Sequence, residues 1–453
     1  MPPPTQSPMQ QPANGNMREV IALAYPVVLT QLSMTCMMIV DSAMVGRLGA
    51  TQLAAVGFGG IWMWTILSLL LGTATGVQTF VSQMDGAGNA RECGGWCWQG
   101  IWSVVPATAL LVVGIWPYLP DLVAFIGPST ELQGEATDYI THRLPGEVGL
   151  AFHMVLTSFY RGIGETRTPL YTSLFANVLN AILDYGLIFG ELGLPEWGLS
   201  GAGVATAVGN WASAVLLFVA FRRRSLDIRY DTHLVGPDLR AIARFLRTGL
   251  PVGGQWIIGT TSWATVVTMV AHMGDKSMAA SQAFLMLMSL SFMQAVGISV
   301  AASTLTGRYV GAQQLDAVRR SFDSSVKVGL VLGGAIALLF ITLPEMLLRI
   351  FTDDPAVVAL GRPLLLVGAG FQFCDSVAII CSGALRGAGD TRYPFLIETA
   401  TGWGLFVPLA YVLGVRLDLG LTAAWFAGLC YVFLMAIALI YRFRSGAWQR
   451  IRI

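Results

Sequence analysis

The chain is 453 residues long, 55% hydrophobic and only 12% charged, with a formal net charge of +1. A soluble domain would carry about twice that share of charged residues, so a water-soluble globular protein is excluded. The net charge itself says nothing about nucleic acid, but there is no basic tract to follow a phosphate backbone, and no nucleic-acid partner is expected.

Residues 1–16 are rich in Pro, Gln and Asn and lack the charged and apolar regions of a signal peptide, which predicts a disordered tail. Apolar runs long enough to cross a bilayer then recur to the end of the chain. They predict twelve helical spans near 19–45, 54–82, 97–118, 134–159, 169–189, 200–221, 243–271, 279–306, 324–343, 357–384, 394–414 and 420–441. With both termini cytoplasmic, the inner loops hold Arg91, Arg161, Arg167, Arg222, Arg223, Arg224, Arg308, Arg386, Arg392 and others. The outer loops hold only Arg47, Lys276, Arg349 and Arg416. That bias orients the chain as a multi-pass membrane protein with both termini inside; the localisation expected is a bacterial inner membrane.

The chain repeats itself. Arg161-Gly-Ile-Gly-Glu-Thr-Arg-Thr-Pro169 recurs as Arg386-Gly-Ala-Gly-Asp-Thr-Arg-Tyr-Pro394, a shift of 225. The same shift pairs Pro26 with Pro251, Gly49 with Gly274, Gly72 with Gly297 and Gly86 with Gly311. Six spans per copy keep the orientation, so the copies are related by an axis along the membrane normal. The fold class expected is all-α and polytopic: twelve transmembrane helices in two six-helix bundles facing across a cleft. The divisions expected are a tail at 1–16, an N-lobe at 17–224, a cytoplasmic linker at 225–240, a C-lobe at 241–445 and a tail at 446–453.

Asn177, Asn180 and Asp184 fall on one face of the fifth span, at i, i+3 and i+7. A carboxylate at bilayer depth costs roughly 2.5–3.5 kcal/mol, so it needs a partner, a proton, a cation or water. Asp41 is the other isolated acid of the first half. The two are expected to meet, with no basic residue in the neighbouring apolar runs, and to form a proton or cation site. At the 225 shift these positions read Val266, Gly402, Leu405 and Leu409, so the polar cluster belongs to one lobe. Pro26, in the span of Asp41, permits a helix bend. Asp375 is a possible second acidic site, while Glu147 and Glu398 read as solvated near span ends. Gln31, Gln255, Gln282 and Gln294 read as cavity-facing polar groups. Met34, Met37, Met286 and Phe284 would add a soft wall to the same cavity. The six cysteines read as small core residues. With no G-x-x-x-x-G-K-[ST], ATP does not drive the protein directly.

Several of these segments together resemble the multidrug and toxic compound extrusion (MATE) transporters, over nearly all of residues 17–445. They are Asp41-Ser-Ala-Met-Val-Gly46, the paired R-G-x-G-[DE]-T-R-x-P loops, Asn180-Ala-Ile-Leu-Asp184-Tyr185 and Gly198-Leu-Ser-Gly-Ala-Gly-Val-Ala205. The resemblance implies that Asp41, Asn180 and Asp184 form an N-lobe cation or proton site. Asp184 looks more like the DinF-like branch, whereas Asp375 matches an acid that NorM-like members carry in the tenth span. Those members pair it with a Glu in the seventh span, where this chain has Gly259.

The function expected is secondary active export of amphipathic, often cationic compounds in antiport with protons or Na+. No enzyme activity and no cofactor are expected, no metal beyond a possible Na+, and no partner beyond small-molecule substrates and membrane lipid. The protein would act as a monomer. A flippase for a lipid-linked precursor would be favoured by a cleft lined with several arginines, and the predicted spans do not offer such a cleft. A membrane-embedded enzyme would need a nucleophile–base pair or metal-ligand cluster, and none is evident.

Overall fold

A computed structural model describes residues 15–126 and 129–451, and among these no strand occurs. Twelve long helices realise the twelve predicted spans. In the first half they are α1 (Met17–Val45), α2 (Ala50–Gly86, divided at Thr75), α3 (Glu92–Ile115), α4 (Thr130–Gly162), α5 (Arg167–Phe189) and α6 (Gly198–Phe221). In the second they are α7 (Leu239–Ala271), α8 (Asp275–Gly311), α9 (Leu315–Thr342), α10 (Pro355–Gly387), α11 (Arg392–Arg416, wound as π-helix over 402–406 and 411–416) and α12 (Leu421–Arg444). Ten of the helices are long and apolar enough to cross a membrane by length and composition alone. Of the other two, α4 carries more charge along its length, and the uncharged stretch of α7 is diluted by Gly, Thr, Ser and Gln.

The predicted N-terminal tail lies largely outside the described residues, and its last two residues are held in place. The Asn16 side chain caps α1 by accepting the Glu19 N–H at 3.0 Å, and Ser324 Oγ donates to the Gly15 carbonyl at 2.8 Å. The predicted C-terminal tail is likewise anchored: Trp448 is 2% exposed and its Nε1 donates to the Phe443 carbonyl at 2.8 Å.

Two hydrophobic cores form, one per half, and two helices pass between them. Val20, Leu23 and Ala24 at the start of α1 pack in the second-half core, whereas Val45 at its end packs in the first. In α7, Phe245 belongs to the first core and Val266 and Val270 to the second. Pro26 and Pro251, 225 positions apart, lie where each helix begins to cross.

Close crossing at these places needs glycine. A Cβ on Gly253 would lie 2.0 Å from the Leu69 carbonyl oxygen of α2, and a Cβ on Gly297 would lie 2.4 Å from Val28 Cγ2 of α1. By contrast, nothing lies within 4 Å of a Cβ on Gly57. Alanine raises helix propensity by about 1 kcal/mol over glycine, so Gly57→Ala is expected to raise the melting temperature of the purified protein. Gly253→Ala is expected to lower it. Equal shifts from the two variants would show that the crossing is not close-packed.

For orientation, the end carrying the arginine-rich loops is here the basic end and the opposite one the acidic end. Among the described residues, every hydrogen bond joining helices of the two halves lies between the Gln31–Met293 contact and the basic end. The bundle is therefore held shut at the basic end and leaves α1 and α2 unbridged to the second half toward the acidic end.

Candidate functional site

The site is built on α5. Its helix starts at Arg167, within the Arg161–Pro169 repeat, and stops at Gly190, which takes the left-handed φ of 71° that glycine favours. Glycines of α6 let that helix lie close: a Cβ on Gly209 would be 3.3 Å from Asn180 Cβ, and one on Gly201 2.6 Å from the Leu187 carbonyl. Asp184 is thereby fixed between these two heights, 1% exposed, with Asn180 7% exposed beside it. From α1, Asp41 reaches the same place, and the two carboxyl groups lie at hydrogen-bonding range.

No donor serves them. Both oxygens of Asp184, Oδ1 of Asp41 and Nδ2 of Asn180 are buried without a partner among the described residues. Each buried polar atom left unsatisfied costs about 1–3 kcal/mol, so four at one point ask for a ligand. Two carboxyls facing each other without a donor are satisfied by a proton shared between them or by a cation. The two acids singled out in the sequence therefore do come together, with Asn180.

Asn177 does not join them. Its Nδ2 donates to Ser33 Oγ at 3.1 Å, about two helical turns along α5 from Asp184, and so ties α5 to α1.

One functional group was missed, and it corrects the expectation of no nearby base. Arg143 of α4 stands close enough to Asp41 to act on it electrostatically. Its Nε donates to Glu147 Oε1 at 3.1 Å and its Nη1 to Tyr139 Oη at 2.9 Å. Glu147, expected to be solvated, is instead 2% exposed and paired. The i, i+4 spacing of Arg143 and Glu147 was the available signal.

A second polar cluster lies in the other half. Tyr431 Oη donates to Glu398 Oε1 at 2.5 Å, and Gln255 approaches the same carboxylate while also bonding Ser382 Oγ at 3.2 Å. Glu398 is 7% exposed rather than solvated, because α11 packs it between α7 and α12. A Cβ on Gly259 would sit 3.4 Å from its Oε1. A carboxylate from α11 thus stands beside the position where α7 has no acid, within electrostatic reach of half-buried Asp375.

The residues proposed to line a cavity scatter. Gln31 Nε2 contacts Met293 Sδ at 3.6 Å across the two halves. Gln294 is buried with Nε2 unpartnered, Met37 is buried, and Met34, Gln282 and Met286 are exposed. Phe284 is a correction: it is 2% exposed inside the second-half core, its ring 5.3 Å from that of Trp425, and does not face a cleft.

Comparison with known proteins agrees with the repeat. The MatE family model matches residues 26–186 and again 251–412. The chain is 29% identical to the probable multidrug resistance protein NorM of Thermotoga maritima, over 96% of this chain and 93% of that one. It is 31% identical to the multidrug resistance protein MdtK of Proteus mirabilis, over 93% and 92%. Among solved structures, the eukaryotic MATE transporter AtDTX14 aligns with a TM-score of 0.86 at 19% identity, covering 96% of both chains. A structure described as the outward-facing conformation of a multidrug resistance MATE family transporter aligns at 0.88 with 18% identity, covering 96% and 97%.

Proposed function

The chain belongs to the MATE family of multidrug transporters, and from that premise we propose that it is a secondary active exporter driven through the Asp41–Asp184 pair. Its relatives are named multidrug resistance proteins, and it is a membrane transporter, not an enzyme. The coupling reading rests on one observation: the buried carboxyl of Asp184, both oxygens unpartnered, faces the half-buried Asp41, whose Oδ1 is also unpartnered, next to an unpartnered amide. A proton shared by the pair satisfies it, and loss of that proton changes the charge of the site by one unit. Sodium would ask for a fuller oxygen shell, including the Asn180 amide, whereas a single proton satisfies two facing carboxyls by itself. The proton is therefore the favoured coupling ion.

Release of the proton would repel Asp41 from Asp184 and move α1 relative to α5. Pro26, near where α1 crosses into the second-half core, is the place for α1 to bend. Substrates in this reading are amphipathic organic cations, admitted and released by alternating access between the halves. The relatives named above carry the NorM and MdtK names, and the DinF-like placement rests on Asp184. The protein is placed in the inner membrane as a monomer, with the basic end and both termini cytoplasmic.

The test is export of a fluorescent cationic dye in reconstituted vesicles under imposed gradients. A pH gradient is expected to drive export without sodium, and a sodium gradient alone is expected not to. Export driven by sodium at constant pH would overturn the proton assignment.

A further inference from the structure

The repeated loops, which the coupling site leaves without a role, are where the two halves close on each other. Thr79 Oγ1 of α2 donates to the Arg386 carbonyl at 3.0 Å, and Thr304 Oγ1 of α8 donates to the Arg161 carbonyl at 2.8 Å. These are one contact seen twice, since 79 and 304, like 161 and 386, differ by 225. Gln83 Nε2 donates to the Gly387 carbonyl at 2.9 Å, and its counterpart Arg308 donates to the Ile163 carbonyl at 3.3 Å. A Cβ on Gly86 would meet the Arg308 carbonyl at 2.0 Å, and one on Gly311 would meet the Gln83 carbonyl at 2.1 Å. Ser82 faces its own counterpart, Gly307, where a Cβ would lie 2.0 Å from the serine oxygen. The seam thus follows the pseudo-two-fold axis closely, with the Arg308 acceptor one residue along from the exact counterpart of Gly387, at glycine-limited spacing.

At one point the symmetry breaks by a charge. Arg308 stands where the first half has Gln83, and Asp85 where the second half has Val310. Arg308 Nη2 meets Asp85 Oδ2 at 2.5 Å, with the side chains 14% and 5% exposed. Arg229, on the short linker helix Arg224–Tyr230, lies 3.8 Å from the other carboxylate oxygen. Separating the halves would strip a charge-assisted bond from one diagonal of the seam and only neutral bonds from the other. It would also expose a buried pair one partner at a time.

We propose that Asp85 and Arg308 are the latch of this seam, holding the basic end closed, and that parting them is the step that opens that end. Its meaning in a transport cycle rests on the exporter reading, but its test needs neither a gradient nor a substrate.

The experiment is maleimide labelling of Ser82→Cys in purified protein in nanodiscs, with the six native cysteines replaced by alanine. Ser82 is fully buried in the seam, so labelling reports its opening. Nanodiscs admit the reagent from both faces, so no orientation is assumed. Labelling is expected to be slow with the latch intact and about tenfold or more faster with Asp85→Asn, the loss that orphans a buried charge. Arg308→Gln is expected to do the same, and carries the test should Asp85→Asn fail to fold. Gln83→Ala, which removes the neutral counterpart bond, is expected to speed labelling by much less. The latch is overturned if a folded Asp85→Asn or Arg308→Gln protein labels at the parent rate, or if Gln83→Ala speeds labelling as much as either. Loss of pH-driven dye export with an intact latch, or the reverse, separates failure of the coupling reading from failure of this one.

Discussion

Asp41→Asn and Asp184→Asn are each expected to reduce pH-driven dye export to the rate of protein-free vesicles. The amide keeps the shape of the side chain but cannot take up or release a proton near neutral pH. It also supplies a donor that the pair lacks, so an Asn–Asp contact is satisfied without any ion. Exchange of dye against dye at equal pH needs no net proton movement, and it is expected to continue in both variants. That second measurement separates uncoupling from misfolding, since a misfolded protein loses both activities. Wild-type export in Asp41→Asn under the same gradient would remove the acid pair from the mechanism.

Asn180→Ala tells the two coupling ions apart in the same assay. If the ion is a proton held between the carboxyls, the amide only neighbours it and the variant keeps a pH-driven rate within about an order of magnitude. A sodium ion would lose an oxygen ligand with the side chain.

The architecture was legible because its signals are local or periodic. Span lengths and a constant shift of 225 lie within the linear text, and both are reflected in the twelve helices. The Asp41–Asp184 meeting was legible for a different reason, since an acid in an apolar run must find something. What the text hid was which helices are neighbours. The spacing of Arg143 and Glu147 shows that they can pair, but only the packing of α4 brings the guanidinium near Asp41. Glu398 read as an early-span acid because nothing in α11 indicates that Tyr431 and Gln255 surround it. Phe284 and Met286 look alike in sequence. They part because residues two apart on a helix point about 200° around its axis from each other, one into the core and one out. The seam contacts were visible only as repeated glycines and a repeated loop, since a shift between copies does not say that copy faces copy.

Removing Arg143 should destabilise the first half more than any other single change at the site. Arg143→Met leaves Glu147 2% exposed with its cation gone, and breaking a buried pair from one side costs about 3–5 kcal/mol. For a unit the size of this half, that corresponds to a fall of roughly 10 °C in melting temperature. Glu147→Gln should lower it less, because the freed guanidinium keeps Tyr139 and has Asp41 nearby to take it up. That relief has a functional consequence: an Arg143 drawn onto Asp41 competes with the proton for the same oxygens, so Glu147→Gln should slow pH-driven export while remaining folded. The double variant Arg143→Met/Glu147→Gln removes both charges and should recover most of the stability lost by Arg143→Met alone. Melting temperatures that fall additively in the double variant would show that the two side chains do not act as a pair. An export rate unchanged in Glu147→Gln would show that the guanidinium stays clear of Asp41 even when released. The expected order, with the arginine deletion worst for stability and the glutamate neutralisation worse for transport than for stability, follows from a cation that pairs with Glu147 while standing near Asp41.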